Sequence, residues 1–86
     1  MPEISRFYGI IISLFYAEHN PPHFHARYGN KKVAINIKTL EILEGNLSPR
    51  TLGLVIEWAA LHKDELLKEW NITKKNLPPK KIKPLD

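Results

Sequence analysis

The dipeptide Gly29-Asn30 separates two segments, residues 23–28 and 31–38, in which apolar and polar side chains alternate. A glycine at the first central position suits a type II′ turn, which joins antiparallel strands through two residues. Because a turn of fixed length also determines which residues face each other, this dipeptide predicts both a β-hairpin and its register.

The predicted register sorts the side chains of the hairpin by polarity. Phe24 and Ala26 lie on one face, where Ile35 and Val33 oppose them. The other face carries three pairs: His23 with Asn36, His25 with Ala34, and Arg27 with Lys32. A shift of one residue would mix apolar and polar side chains on each face, so the polarity pattern supports this register.

The segment before the hairpin predicts one long strand over residues 7–16. This segment is rich in isoleucine and aromatic residues, which favour the pleated surface of a sheet over a helix. Its alternate residues suit a core face, namely Tyr8, Ile10, Ile12, Leu14 and Tyr16. After the hairpin, residues 40–43 indicate a short fourth strand.

The second half of the chain predicts one long helix from about Pro49 to about Trp70, with Ser48 as its N-cap and proline in its first position. The fold class is therefore α+β: a small antiparallel sheet of three to four strands packed on this helix. Residues 1–70 are expected to form a single compact domain. The Pro- and Lys-rich residues 71–86 are expected to form an extended basic tail that packs partly on it.

Composition excludes several classes of protein. The 86 residues are enough for one small domain, and the absence of cysteine excludes disulfides, thiol catalysis and thiolate metal sites. No apolar run approaches the roughly 18 residues that cross a bilayer, and the first residues lack the pattern of a signal peptide. These features favour a soluble, cytoplasmic protein with no membrane partner.

The net charge of +4 is distributed unevenly along the chain. Residues 1–39 carry +3, residues 40–70 carry −3, and residues 71–86 carry +4. The excess therefore belongs numerically to the tail, and it supports a nucleic-acid partner only weakly. Residues 1–70 are neutral overall, but they can still present a local basic surface.

Such a surface is predicted on the polar face of the hairpin. His23, His25 and Arg27 share this face because alternate strand residues project in the same direction. Lys32 is expected directly opposite Arg27, and two opposed cations repel each other unless an anion such as phosphate lies between them. The candidate residues for binding RNA or DNA phosphate are Arg27, Lys32, Asn36 and Lys38.

Imidazoles beside a phosphate site can act as general acid and base near neutral pH. His23 and His25, with His19 as an auxiliary group, are therefore candidate catalytic residues of a metal-independent ribonuclease, which requires no cofactor. A plain surface role for any one of these histidines is the simplest alternative, because the open face of a sheet has to present polar groups to water.

A metal site is a further interpretation of the same histidines. His23 and His25 can chelate an ion from one strand face, and His19 in the preceding loop would complete three ligands for a divalent transition metal. Glu18 is the only acidic neighbour, so the sequence offers no convincing pair of carboxylates for a non-haem iron site.

The predicted helix carries a second apolar patch outside its main stripe, formed by Leu54, Trp58 and Leu61. A helix in so small a domain rarely buries its whole circumference, so this patch is covered either by the tail or by another chain. Under the second alternative the protein is a non-catalytic interaction module that binds a protein partner or a second copy of itself. His62 is expected to be half-buried with one hydrogen-bond partner.

Three sequence motifs resemble a known bacterial family. They are Ile-Ser-Arg-Phe-Tyr-Gly-Ile at residues 4–10, His-Asn-Pro-Pro-His-Phe-His-Ala at residues 19–26, and the pattern of Trp58, Leu61, His62, Glu65, Leu66 and Trp70. The family is the domain of unknown function 4160, and the resemblance extends to the ending at residues 81–85. It implies a toxin–antitoxin-like arrangement, in which a small protein of the domain of unknown function 2442 family is the cognate partner and nucleic acid a target. It identifies no catalytic residue.

Overall fold

The computed structural model describes residues 2–86, which form five strands and two helices. The strands are β1 (Glu3–Phe7), β2 (Ile10–Ser13), β3 (His23–Tyr28), β4 (Lys31–Asn36) and β5 (Ile42–Gly45), and the helices are α1 (Pro49–Leu61) and α2 (Lys63–Lys74). Neighbouring strands are antiparallel, and their order in the sheet is their order in the chain. The α+β class is confirmed, with one strand more than expected and two helices instead of one.

The β3–β4 hairpin has the predicted register. Gly29 has a φ of 62°, as the first central position of a type II′ turn requires. Each of the six expected pairs is present, from His23 opposite Asn36 to Tyr28 opposite Lys31. Polarity therefore determines the register as predicted.

The expectation of one long strand over residues 7–16 is wrong. The chain reverses at Tyr8-Gly9, where both φ angles are positive (51° and 79°), so that Phe7 pairs with Ile10 across a tight turn. Tyr8 is 60% exposed and Tyr16 43% exposed, whereas Ile10, Ile12 and Leu14 are buried as expected. A non-glycine residue with positive φ is uncommon, which is why Tyr8-Gly9 is a weak turn signal.

The last strand begins two residues later than predicted. The side-chain oxygen of Asn36 accepts hydrogen bonds from the backbone N–H groups of Lys38 (2.8 Å) and Thr39 (3.1 Å). Leu40 then has a φ of 63°, and its N–H donates to the carbonyl of Asn36 at 2.8 Å. This side-chain-stabilised turn occupies residues 37–40, so β5 spans Ile42–Gly45.

The single long helix is also a wrong prediction, because the chain leaves helical geometry at His62 (φ −125°, ψ 25°). Trp58 and Trp70 are twelve residues apart, so a continuous helix would turn them about 120° away from each other. The break allows both indoles to be buried against the same sheet, at 0% and 2% exposure. His62 is half-buried, with Nδ1 2.6 Å from a Glu65 carboxylate oxygen, as predicted.

Helix α2 continues to Lys74, four residues beyond the predicted end, and Asn76 follows it with a φ of 60°. The remaining tail is extended and contacts the domain at specific points. The N–H of Ile82 donates to the carbonyl of Ile4 at 2.7 Å, and the Trp58 indole donates to the carbonyl of Lys83 at 2.9 Å. Ile82 itself is buried.

One face of the sheet packs against both helices and the tail. The core between them contains side chains from every strand except β5, together with Val55, Trp58, Leu66 and Trp70. The opposite face carries the polar side of the β3–β4 hairpin. At one end of it His23 packs against Trp70 of α2, whereas Arg27 and Lys32 are exposed, and we refer to this exposed part as the uncovered face of the sheet. No helix within residues 2–86 is long and apolar enough to cross a membrane.

Candidate functional site

The uncovered face of the sheet forms a cavity of about 320 Å³. Antiparallel pairing aligns Ser13, His25, Ala34 and Glu44 in one row across four strands. The next row contains Ile11, Arg27 and Lys32. The cavity lining combines these two rows with Phe15, Ala26, Val33 and Gly45.

Arg27 and Lys32 face each other directly, as the predicted register requires. Both side chains are exposed, and neither forms an ion pair with any of residues 2–86. Arg6 is different, because its guanidinium lies 2.8 Å from the carboxylate of Glu3. The two opposed cations therefore form a positive site at the edge of the cavity, and Glu44, which lines the same cavity, forms no ion pair with either of them.

Three ligand-type side chains converge near this site: Glu18, His23 and His25. One donor atom from each lies within 4.8 Å of the other two. The Glu18 oxygen Oε1 is 3.4 Å from Nε2 of His25 and 3.9 Å from Nε2 of His23. All three residues are partly buried.

The His23 ring is held by a hydrogen bond at Nδ1 and by an aromatic contact. Its Nδ1 lies 2.7 Å from the carbonyl oxygen of Pro21. Because a carbonyl only accepts hydrogen bonds, Nδ1 carries the proton, and in the neutral ring Nε2 carries the lone pair. The ring also packs against Trp70, with 5.1 Å between the ring centres. The orientation of the Nε2 atom is therefore well defined.

His25 lies in a less polar environment. Its ring stacks on Phe15 with 4.0 Å between centres and meets His23 edge-on at 5.1 Å. Burial lowers the pKa of His25 and the charge of His23 lowers it further, whereas Glu18 opposes both effects. Its Nε2 atom is buried and forms no hydrogen bond within the described chain. The neutral imidazole therefore keeps an available lone pair or N–H at this atom.

The remaining predicted site residues belong neither to this cluster nor to the Arg27–Lys32 pair, although Asn36 is paired with His23 across the hairpin. His19 is exposed and does not belong to the cluster, in which Glu18 provides the third donor. Asn36 lies four residues along β4 from Lys32, about 13 Å away, and its side-chain oxygen stabilises the following turn. Lys38 lies in that turn, beyond the end of β4.

Two neighbouring residues were not among the predicted site residues. Phe15 provides the stacking surface for His25, and Glu18 provides a carboxylate. Both lie on the connection between β2 and β3, which is joined to α2 by a hydrogen bond from the N–H of Ala17 to the carbonyl of Thr73 (3.3 Å). The only sequence signal for Glu18 is that it is the sole acidic residue close to the histidines.

The three residues of the candidate interface patch, Leu54, Trp58 and Leu61, differ in their burial. Trp58 is fully buried and is capped by the tail through its bond to Lys83. Leu54 is partly buried against the core, and Leu61 is 68% exposed. Of the two expected alternatives, the tail and another chain, it is therefore the tail that covers Trp58.

The fold and this site define a class of small α+β protein: a five-stranded meander with helices on one face and a concave His/Arg/Lys surface on the other. A family model described as Domain of unknown function (DUF4160) matches residues 9–71, and the chain belongs to this family. The searches of curated proteins and of solved structures returned no match.

Proposed function

We propose that this protein is a toxin–antitoxin-like module that binds RNA on the uncovered face of its sheet. The observation that carries the proposal is the direct opposition of Arg27 and Lys32, both exposed and both without an ion-pair partner among residues 2–86. Two such cations repel each other, so a bound phosphate would gain attraction from both and also remove their repulsion.

The lining of the adjacent cavity supports single-stranded RNA in particular. Ile11 contributes apolar surface directly beside Arg27, and Phe15 contributes an aromatic ring to the same cavity next to His25. A phosphate held by the two cations would leave a neighbouring base beside this surface, where stacking on an aromatic ring contributes about 1–3 kcal/mol per base. Bases of single-stranded RNA are free to stack in this way, whereas those in a duplex are not.

The test is a fluorescence anisotropy titration with a labelled single-stranded RNA of about 12 nucleotides, in low salt and EDTA. We expect the Arg27→Gln/Lys32→Gln variant to bind at least about tenfold more weakly than the unmodified protein. The matched control is Lys80→Gln/Lys83→Gln, which removes the same charge from exposed tail side chains and is expected to keep most of the affinity.

Two outcomes would contradict the proposal. One is that the unmodified protein does not bind RNA at low salt. The other is that the tail variant loses as much affinity as the sheet variant, because binding would then follow net charge and not the Arg27–Lys32 site. Circular dichroism of each variant establishes that the compared proteins are folded.

Cleavage of the bound RNA is the second candidate function, favoured by two imidazoles adjacent to the phosphate site. His25 lines the cavity, and His23 lies next to it with 5.1 Å between ring centres. One imidazole would remove the proton of a ribose 2′-hydroxyl while the other protonates the leaving oxygen, without a metal. His19 is assigned an auxiliary role at most, since it is exposed and outside the cluster.

Cleavage is tested in EDTA with an RNA and with the same sequence carrying 2′-deoxyribose. We expect the RNA to be cut and the deoxyribose substrate to remain intact. His25→Gln should lower the rate by about 100-fold or more, and His19→Gln should change it little. Absence of cleavage in EDTA, or equal rates for both variants, would reject the ribonuclease while leaving the binding proposal standing.

A further inference from the structure

We propose that Glu18, His23 and His25 form a binding site for a divalent transition metal ion, with His19 outside it. The three donor atoms lie within 4.8 Å of one another, and they come from a loop and one face of β3. Two imidazoles and one carboxylate are a ligand set of catalytic zinc sites and of non-haem iron sites, so the single carboxylate of Glu18 is sufficient and a pair of carboxylates is not required.

The spacing of the donors fits a metal ion. Bonds of about 2.0–2.1 Å in tetrahedral geometry place neighbouring ligand atoms about 3.3–3.4 Å apart. The Glu18 oxygen is already 3.4 Å from Nε2 of His25, and its 3.9 Å separation from Nε2 of His23 exceeds this value by only about 0.5 Å. The donor atoms of His23 and His25 lie within 4.8 Å of each other, so small rotations of the histidine and Glu18 side chains would bring all three donors to this spacing.

His23 has the second contact that metal-binding histidines usually make. Its Nδ1–H donates to the carbonyl of Pro21 at 2.7 Å, which directs the lone pair of Nε2 away from the backbone. Trp70 packs against the same ring and restricts its rotation. The ligand atom is therefore oriented before any ion binds.

His25 supplies the independent observation. Its Nε2 atom is buried and has no hydrogen-bond partner in the described part of the chain, although buried polar atoms nearly always have one. Phe15 stacks on the ring and holds it in place. A metal ion between Nε2 and the Glu18 carboxylate would satisfy this atom. Three protein ligands would leave at least one coordination position for water or a bound ligand.

The measurement is metal binding to protein prepared without a histidine tag and stripped with EDTA. Zn²⁺ is titrated against a chromophoric chelator, and Co²⁺ is followed by its visible d–d absorption. We expect one ion per chain. Glu18→Gln and His25→Gln should each lower the affinity at least about tenfold, since each removes one of three ligands.

His19→Gln and His62→Gln are the matched controls, because each removes a histidine that lies outside the cluster. Binding unchanged in both controls but lost in Glu18→Gln supports the site. Equal losses in His19→Gln and His25→Gln, or absence of stoichiometric Co²⁺ absorption in the unmodified protein, would overturn it. Glu18→Gln keeps the test decisive if His25→Gln does not fold, because Glu18 lies in a loop outside the core.

This site does not depend on the RNA proposal, because Glu18 and His23 are not part of the Arg27–Lys32 pair. The titration in EDTA measures RNA binding by the sheet surface in the absence of a metal ion. The Co²⁺ titration measures metal binding by the cluster in the absence of RNA. Nε2 of His25 cannot hold a metal and transfer a proton at the same time. Any cleavage observed in EDTA should therefore be inhibited when Zn²⁺ is added in excess of the EDTA.

Discussion

The buried Nε2 atom of His25 lies 3.4 Å from a carboxylate oxygen of Glu18, yet it forms no hydrogen bond with any of residues 2–86. The ring contacts Phe15, with 4.0 Å between ring centres, and meets His23 edge-on at 5.1 Å. This arrangement favours a neutral imidazole in the free protein. It also leaves Nε2 available to bind a metal ion or to transfer a proton. The burial that lowers the pKa of His25 therefore also favours the neutral form that both proposed functions require.

The environment of His25 predicts that acid destabilises the protein. Burial, followed by the charge of His23, lowers the pKa of this group in the folded protein below the ordinary histidine value near 6.5. The unfolded chain therefore binds a proton that the folded protein does not. The free energy of unfolding should fall as the pH drops through about 6.5 and level off below the folded pKa.

Urea unfolding in EDTA at a series of pH values between about 8 and about 5 measures this dependence. His25→Gln should show a smaller fall than the unmodified protein, and His19→Gln should show the same fall as the unmodified protein. If His25→Gln retains the full pH dependence, the titrating group is not His25.

Two glycines with positive φ should respond differently to alanine. Gly29 (φ 62°) has open space around the position of a Cβ atom, so Gly29→Ala should cost about 1–2 kcal/mol from backbone strain alone. At Gly45 (φ 73°) a Cβ would also clash with the backbone carbonyl of Lys32. Gly45→Ala should therefore cost at least about 1 kcal/mol more. Equal unfolding free energies for the two variants would contradict this difference.

The opposition of Arg27 and Lys32 predicts a stability gain when one charge is removed. Lys32→Gln should raise the free energy of unfolding by about 0.2–1 kcal/mol at low salt, and the gain should shrink as salt screens the repulsion. Lys31→Gln is the control, because Lys31 lies opposite Tyr28. A gain in Lys31→Gln as large as that in Lys32→Gln would indicate a general charge effect instead.

Trp58 should hold the tail on the domain. Trp58→Phe removes the donor to the Lys83 carbonyl, at a cost of about 1–3 kcal/mol, and should expose the tail to trypsin after Lys80 and Lys81. The rate of cleavage should rise about tenfold for each 1.4 kcal/mol by which the substitution weakens the attachment of the tail to the domain. The control is Trp70→Phe, because the Trp70 indole donates no hydrogen bond among the described residues. Equal acceleration in both variants would show that the Trp58 bond does not hold the tail.

The β3–β4 hairpin could be predicted from the sequence because a short turn and a two-sided polarity pattern specify the same register. The first hairpin could not, because Tyr8 adopts a positive φ that its side chain does not favour, and the surrounding apolar residues suit a long strand equally well. The break at His62 reflects a tertiary requirement, the burial of both Trp58 and Trp70, that no local propensity expresses.

The candidate site, like the fold, could be predicted from the sequence only in part. Arg27, Lys32, His23 and His25 follow from the register, and the structure aligns them on one face as expected. The contribution of Glu18 depends on the path of the loop between β2 and β3, which a hydrogen bond from Ala17 to Thr73 joins to α2. The sequence placed His19 in this role because it lies at chelating distance along the chain. Proximity in sequence does not establish the direction of a loop side chain.

The salt dependence of RNA binding tests the central claim most directly. Each phosphate contact with single-stranded nucleic acid contributes about 0.7 to the slope of log affinity against log salt concentration. If Arg27 and Lys32 bind phosphate, the Arg27→Gln/Lys32→Gln variant should lower the magnitude of this slope by about 1.4, and Lys80→Gln/Lys83→Gln should change it by less. A slope unchanged in the sheet variant, or reduced equally in the tail variant, would contradict the assignment of RNA to the uncovered face of the sheet.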